Sequence, residues 1–389
     1  MMTEMTETKS NKKIRRRRTL AAVLLVVSLL ASIIFMDHFL CIPATFDQNR
    51  VLLFHKEPAD SIDVLLIGSS TTYSGFSSAY AYDQFGFTSY PYAIGGSTCN
   101  IWKPALQDAL RTQHPKLIVV DVFGGGYDLD LVESRNSQVY TIMTHTPLSR
   151  EKIETAKELS SKIDRTTTAS LLLPFIKYHN SVPANLMDLK DRLDVASSGP
   201  SPLKGIETLT RTRELADVDD ISFTDETAPL DEKTEAVINE FMDYCKSKDL
   251  NVLFVKYPTV LTKNDPDELQ VNLRANRILE MADEAGFHTL NMQKHFHEIG
   301  LKEREDYYNH GHTNTRGQKK VTGFLGDYIQ NELGIAPSDL SDSLRTEWDD
   351  SVRYYGAYVE MSEELINKGD PQPMGDSPKL VRELKKRLD

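Results

Sequence analysis

Short apolar runs that end at glycine or small hydroxyl residues recur along the chain and predict the strands of one sheet. Each run is rich in Val, Ile, Leu, Phe or Tyr and is bounded by turn residues, as buried strands are. Their continuous rather than alternating apolar character predicts strands covered on both faces, which is typical of parallel sheets. The predicted strands span residues 64–67, 89–94, 117–123, 251–255 and 288–290.

Segments with helical periodicity alternate with these runs. The alternation predicts an α/β fold, a three-layer doubly wound parallel sheet within residues 50–335. The rhythm breaks at about residues 144–231, which we interpret as a mainly helical insertion, and residues 337–389 read as a polar, solvated helical extension. The predicted helices of the sheet domain span residues 102–113, 233–248, 268–285 and 316–333.

The amino terminus carries the pattern of a membrane anchor. Residues 1–18 hold seven basic and two acidic side chains, and residues 19–36 form an uncharged apolar run closed by Asp37. Eighteen helical residues extend about 27 Å, enough to cross a hydrocarbon core. A basic flank before the run favours a cytoplasmic tail, a single-pass signal anchor and an extracytoplasmic domain. A cleaved signal peptide is the alternative, but no Ala-x-Ala site follows the run.

Composition narrows the classes of partner and cofactor. The chain has a net charge of −12 despite its basic tail, so its main domain is strongly acidic, which argues against nucleic acid as a partner. Three isolated cysteines do not form a disulfide framework. The histidines lack metal-ligand spacing, and the glycine run 124–126 lacks the lysine of a phosphate-binding loop. We therefore expect no metal and no other cofactor.

Two residues are candidates for nucleophilic chemistry. Ser70 follows the first predicted strand on a strand-to-helix turn, where an alcohol is exposed and the N–H groups of a helix start are at hand. His312 lies late in the chain, in a polar loop before the last helix of the sheet domain, and is the candidate general base. Taken alone, each residue is more often an ordinary turn, surface or capping residue than a catalytic one.

Together with their neighbours, these residues resemble the SGNH (GDSL-like) hydrolase superfamily over roughly residues 60–330. Gly68-Ser69-Ser70 resembles the first block of that family, in the form found in its cell-envelope acyltransferase-like branches. Gly95-Gly96 resembles the glycine block, and the stretch from Asn309 to Gly317 resembles the last block, which carries the catalytic histidine. The resemblance implies a flavodoxin-like fold, Ser70 as nucleophile, His312 as base and Gly96 as an oxyanion donor.

Two positions depart from the family pattern. The third block should supply an Asn to the oxyanion hole, whereas this chain has Gly124-Gly125-Gly126, whose backbone N–H groups, at Gly125 above all, are a conceivable substitute. Asn309 stands where the triad aspartate is expected. Three outcomes stay open: a working Ser-His dyad, recruitment of Asp306 as the acid, or a degenerate site that binds without turnover.

The sequence-based hypothesis is a membrane-anchored extracytoplasmic serine esterase or O-acyltransferase. Its expected substrate is an acyl ester of a cell-envelope polysaccharide or teichoic-type polymer, with a membrane-bound acyl-donor protein as a further partner. Gly95 and Asn314 are expected to join Gly96 and Gly125 in binding oxyanion or substrate. The alternative is a catalytically degenerate protein of the same fold that binds the polymer or scaffolds an export or modification complex. A surface protease or lipase is weakly supported, since the insertion lacks a broad apolar lining.

Overall fold

The computed structural model describes residues 2–129, 137–212, 224–260 and 266–389. The strands are β1 (Val64–Gly68), β2 (Ser89–Ala93), β3 (Leu117–Asp121), β4 (Glu207–Leu209), β5 (Val252–Lys256), β6 (His288–Asn291) and β7 (Pro373–Gly375). The first eight α-helices are α1 (Met2–Phe35), α2 (Phe46–Phe54), α3 (Ser70–Gly75), α4 (Ser78–Phe85), α5 (Trp102–Ala109), α6 (Ser137–His145), α7 (Arg150–Lys162) and α8 (Thr168–Leu172). The others are α9 (Pro174–Tyr178), α10 (Val182–Met187), α11 (Leu189–Ser197), α12 (Glu232–Ser247), α13 (Pro266–Glu284), α14 (Thr315–Asp327), α15 (Asp342–Lys368) and α16 (Pro378–Leu388).

Five strands form a parallel sheet in the order β2-β1-β3-β5-β6. In register, Gly68 lies beside Ala93, and Asp121 lies beside Val255, so the carboxyl ends of these strands meet at one edge. Every residue of β1, β2, β3 and β5 is buried, as continuous apolar runs require when both faces are covered. The predicted parallel α/β sheet is confirmed.

Helices cover both faces of this sheet and make it the middle of three layers. On one face the core includes side chains of α2, α5, α6, α12 and α13, such as Phe54, Trp102 and Phe241. On the other face α4 and α14 pack against the strands with Ala81, Val321 and other buried residues. The predicted three-layer arrangement is therefore present.

The predicted insertion, at about residues 144–231 between β3 and β5, is mainly helical where the structure describes it. It contains α7 to α11 and the short strand β4. The part of the predicted insertion at residues 213–223 lies outside the described residues. The helices α9 and α10 pack against the turn at Met36–Leu40, directly after α1.

The carboxyl-terminal extension is helical but differs from the solvated appendage expected from its polarity. Trp348 and Tyr358 of α15 and Leu384 of α16 are fully buried. Strand β7 pairs antiparallel with β4, where Thr208 lies beside Met374. The extension is therefore packed against the rest of the domain, because a narrow apolar stripe on α15 is sufficient to bury these side chains.

The N-terminal helix α1 projects its apolar side chains outward. Among the described residues, one stretch, Ile14–Asp37, is long and apolar enough to cross a membrane, with a mean hydropathy of 2.7. Its large apolar side chains are about half exposed or more. This agrees with a membrane-spanning segment, and the orientation of that segment remains a prediction.

Candidate active site

Ser70 begins helix α3 immediately beyond the carboxyl end of β1. The strand ends at Gly68, and Ser69 adopts an extended conformation before the helix starts. A methyl group on Gly68 would overlap Thr72 and Asp121, so only glycine allows the turn to be this tight. The turn is buried around Ser70, whose own side chain is half-buried and accessible.

A buried aspartate, Asp121, stabilises this turn through hydrogen bonds. Asp121, the last residue of β3, accepts hydrogen bonds from the hydroxyls of Thr71 and Thr72 and from the backbone N–H groups of Phe123 and Ser69. Burial raises the pKa of its carboxyl group, although these hydrogen bonds oppose the rise. The sequence carries one signal for this role, a carboxylate at the end of an otherwise apolar strand.

His312 connects Ser70 to Asn309 through its two ring nitrogens. The His312 Nε2 lies 2.6 Å from Ser70 Oγ, and its Nδ1 lies 2.8 Å from Asn309 Oδ1. The ring also stacks on Tyr308 at a centroid distance of 5.3 Å, which restricts its rotation. The three residues form a continuous hydrogen-bonded chain.

The direction of these hydrogen bonds follows from Gly311. The Gly311 N–H donates to Asn309 Oδ1 at 3.0 Å, so the amide oxygen and not the amide nitrogen faces the imidazole. His312 must then carry its proton on Nδ1 and donate it to Asn309. Its Nε2 is left with a lone pair that accepts the Ser70 hydroxyl proton, as a general base requires.

Burial sets the charge of this histidine. Desolvation lowers the His312 pKa from 6.5 to about 4, because the imidazolium form loses more hydration than the neutral ring. The ring is therefore neutral at neutral pH and available as a base. The same desolvation makes the imidazolium costly when it forms during a reaction.

The loop that carries His312 is hydrogen-bonded to the helix that carries Ser70. Thr313 forms an isolated bridge with Tyr307 and donates its hydroxyl to the Ser74 carbonyl of α3 at 2.8 Å. In α14, Gln318 donates its amide to the Tyr73 carbonyl at 3.2 Å. These contacts between remote segments fix the distance from nucleophile to base.

Asp306 and Asn314 have structural positions rather than the predicted ones. The Asp306 carboxylate accepts from the Lys302 N–H and the Lys320 ammonium, and both nitrogens of His312 are already occupied, so the expected alternative acid is not in place. The Asn314 oxygen caps α14, and its amide donates to the carbonyls of Arg211 and Glu305. Asn314 therefore shapes the loop instead of facing a substrate.

The glycine block supplies one available backbone donor. The Gly95 N–H donates to Asp47 Oδ1 at 3.1 Å and is not available to an oxyanion, contrary to expectation. Gly96 has φ +66° and, within the described part of the chain, its N–H has no acceptor. Of the two glycines, Gly96 is therefore the one whose N–H is available, and its role as an oxyanion donor stays a prediction.

The glycine run after β3 packs beside the Ser70 turn but does not offer Gly125 as a donor. The Gly125 N–H donates to the Val122 carbonyl, and its α-carbon lies against Trp102 and Ile278. Its neighbour Gly124 lies against the Ser97 carbonyl, so that a side chain there would overlap it. The run provides close packing between two turns, and the proposed donor role of Gly125 is not supported.

A buried arginine, for which the sequence carries no signal, stabilises the same glycine turn. Arg50 of α2 is fully buried and donates to Asp47 at 2.6 Å and to Glu207 at 2.8 Å. Its guanidinium also lies 3.8 Å from the ring centroid of Tyr73. Because Asp47 holds Gly95, Arg50 positions the glycine turn indirectly. An arginine in an amphipathic helix usually reads as a solvated residue.

Comparisons with known proteins add little to this geometry. No protein-family model matches the chain, and no curated protein matches it in sequence. Among solved structures, it is similar to an acetyl xylan esterase, at 12% identity and a TM-score of 0.36 over 70% of this chain and 100% of that one. It is also similar to a candidate acylhydrolase from Bacteroides fragilis, at 10% identity and a TM-score of 0.37 over 75% and 100% of the two chains. A mutant family two carbohydrate esterase from Clostridium thermocellum matches at 9% identity and 0.31 over 72% and 65%.

Proposed function

We propose that this protein is a serine esterase or O-acyltransferase in which Ser70 is the nucleophile and His312 the general base. The observation that carries the proposal is the hydrogen-bonded chain from Ser70 Oγ through His312 to Asn309. A nucleophile within hydrogen-bond reach of a base, which is itself oriented by a third group, is the arrangement that covalent acyl transfer requires.

In the acylation step, the Ser70 oxygen attacks the carbonyl carbon of an ester while His312 Nε2 takes the hydroxyl proton. The carbonyl oxygen becomes negatively charged and is stabilised by the N–H groups of Gly96 and Ser70, the latter at the first turn of α3. His312 then donates the proton to the leaving alkoxide, which departs as an alcohol. The product is an acyl ester on Ser70.

In the second step, His312 removes a proton from water or from an acceptor hydroxyl, which attacks the acyl carbon. The tetrahedral intermediate collapses, and Ser70 leaves with the proton returned by His312. Water gives an esterase and a sugar hydroxyl gives a transferase. Because Asn309 brings no negative charge to the imidazolium, each step is expected to be slower than with an aspartate.

The anchor helix suggests where the substrate lies. The basic amino-terminal tail before the single span supports an orientation in which the tail is cytoplasmic and the domain lies outside the cytoplasmic membrane. The proposed substrate is therefore an O-acyl group, such as acetyl, on a cell-envelope glycan or teichoic-type polymer, with a membrane protein as the acyl donor in the transferase case.

Asn309 also favours a second candidate function, a protein that binds envelope polymer without turnover. In such a protein the hydrogen-bonded chain would persist as a structural remnant. The two functions differ in their dependence on the Ser70 hydroxyl: turnover requires it, whereas binding tolerates alanine at this position.

The test is hydrolysis of an aryl acetate by the full-length protein in detergent. We expect measurable turnover that Ser70→Ala reduces to the background rate. Ser161→Ala is the matched control, because Ser161 is exposed on α7 and bonds only to a carbonyl of its own helix. Equal rates for the Ser70 variant and the parent protein would reject the catalytic proposal.

A further inference from the structure

The exposed apolar side chains of the globular body are concentrated in one place. Within the described ranges, and apart from Leu148, the large apolar residues that are exposed belong either to the N-terminal span or to α9–α11 with the residue before α9. A cluster of this kind marks an interaction surface rather than random exposure. We call it the apolar collar; its residues, between 44% and 88% exposed, are Leu173, Phe175, Ile176, Leu186, Met187 and Leu193.

The apolar collar is bonded to the chain at the exit of the N-terminal span. The Phe175 N–H donates to the Asp37 carboxylate at 2.6 Å. The buried Asn185 amide donates to the carbonyls of Leu40 and Ile42 at 2.7 and 2.8 Å. These bonds join α9 and α10 to the first residues beyond the apolar stretch.

Helix α11 is attached to the same segment by Arg192. Its Nε donates to the Phe39 carbonyl at 2.8 Å, and its guanidinium lies 5.4 Å from the Phe39 ring centroid. Residues 37–42 follow the span directly, so at about 1.5 Å per helical residue they lie within roughly 10 Å of its end. The apolar collar is therefore positioned at the level where the headgroup region of a bilayer begins.

We propose that the apolar collar inserts into the interfacial layer of the bilayer that the N-terminal helix spans. Short helices that present large apolar residues beside charged ones match the chemistry of that layer. The charged residues between α9 and the end of α11 are basic (Lys177, Lys190 and Arg192) and acidic (Asp188, Asp191 and Asp194), and Asp191 and Asp194 are paired with Arg382. Continuity with the span favours lipid over a second protein as the occupant. The domain then lies on the membrane at a fixed height instead of moving freely on a tether.

The proposal is tested with a fluorophore on the full-length protein in vesicles of phosphatidylcholine and phosphatidylglycerol. Met187→Cys carries the label, and selective labelling is expected because Cys41, Cys99 and Cys245 are buried. Leu25→Cys reports insertion of the span, and Arg304→Cys, exposed near the opposite layer of the sheet, reports solvent. Nitroxide-labelled lipid is expected to quench positions 25 and 187 several-fold more than position 304.

A variant of the apolar collar tests whether its own side chains make the contact with lipid. Substituting Leu173, Ile176 and Leu193 by serine should lower quenching at position 187 to the level at position 304. Leu148→Ser changes a leucine that is 75% exposed and lies outside the collar, and it should leave the quenching unchanged. Solvent-like emission at position 187 while position 25 is quenched overturns the proposal. Protection of position 187 that varies with protein concentration and not with quencher lipid also overturns it, because a second copy would then cover the collar.

Discussion

Asn309 orients His312 through an amide oxygen that lies 2.8 Å from Nδ1. This contact orients the imidazole as a triad carboxylate would, but it brings no negative charge. The histidine is thereby fixed as a base toward Ser70, while its protonated form has no anionic partner in the chain of hydrogen bonds. The strength of catalysis should therefore depend on the residue at position 309.

Asn309→Asp should increase the rate of ester hydrolysis. The carboxylate would still accept from Gly311 and His312 and would stabilise the imidazolium. In a serine protease the change from Asp to Asn costs about 10⁴ in kcat because the histidine takes the wrong tautomer. Asn309 already sets the tautomer here, so we expect a rise in kcat that is well below that factor, measured with an aryl acetate. Asn309→Ala, which removes the orienting oxygen, should lower it. A rate unchanged by both substitutions would show that position 309 does not act on the reaction.

The pH at which activity falls on the acid side should be well below that of an enzyme whose catalytic histidine has an ordinary pKa. His312 acts as a base only when neutral, and burial lowers its pKa from 6.5 to about 4. As the pH falls, kcat/KM should stay level through pH 6.5 and decline only near pH 4. In Asn309→Asp the decline should move to higher pH, because a neighbouring carboxylate favours the imidazolium. A parent midpoint near 6.5 would contradict the burial argument.

Asp121 should act as a positioning residue beneath the nucleophile. Asp121→Ala leaves the buried donors of Thr72 and Phe123 without an acceptor, at about 1–3 kcal/mol of unfolding free energy for such a group. We expect a lower midpoint in urea and a lower kcat with little change in KM. Asp121→Asn should recover part of both. The exposed Asp283→Ala should be neutral within about 0.5 kcal/mol.

Two glycines of helix α14 should respond oppositely to alanine. At Gly317 a methyl group would overlap the Asp306 carbonyl and the Thr313 side chain, so Gly317→Ala should cost about 1–3 kcal/mol and displace the His312 loop. At Gly323 nothing lies within 4 Å, and alanine should stabilise the helix by up to about 1 kcal/mol. Thermal unfolding with aryl acetate rates measures both. Similar effects at the two positions would contradict the close packing under the loop.

The sheet was predictable because its signals are local. Runs such as 117–121 are continuous and apolar, and each is bounded by turn residues, so periodicity alone located them. The boundaries shifted where local chemistry intervened, as at Val122 and Phe123, which belong to a turn and not to β3. The pairing of β4 with β7 was not predictable, since both are three-residue strands far apart in sequence.

The site was predictable in its order along the chain but less so in its details. Ser70 and His312 stood out by their turns and by the spacing of the blocks, and the structure brings them together. Asp306 and Asn314 were mistaken because Asp and Asn in loops serve capping and ion pairing as readily as catalysis. Arg50 was missed because its burial depends on contacts with Glu207 and Gly205, which are remote in sequence.

The most direct measurement of the central claim is the location of a fluorophosphonate adduct on the full-length protein. The reagent loses fluoride when an activated serine attacks phosphorus, and peptide mass spectrometry identifies that serine. We expect one adduct, on the peptide that contains Ser70. It should be absent in Ser70→Ala and should form at least about 10²-fold more slowly in His312→Gln. No adduct at Ser70, or an adduct whose rate is unaffected by His312→Gln, would contradict the central claim.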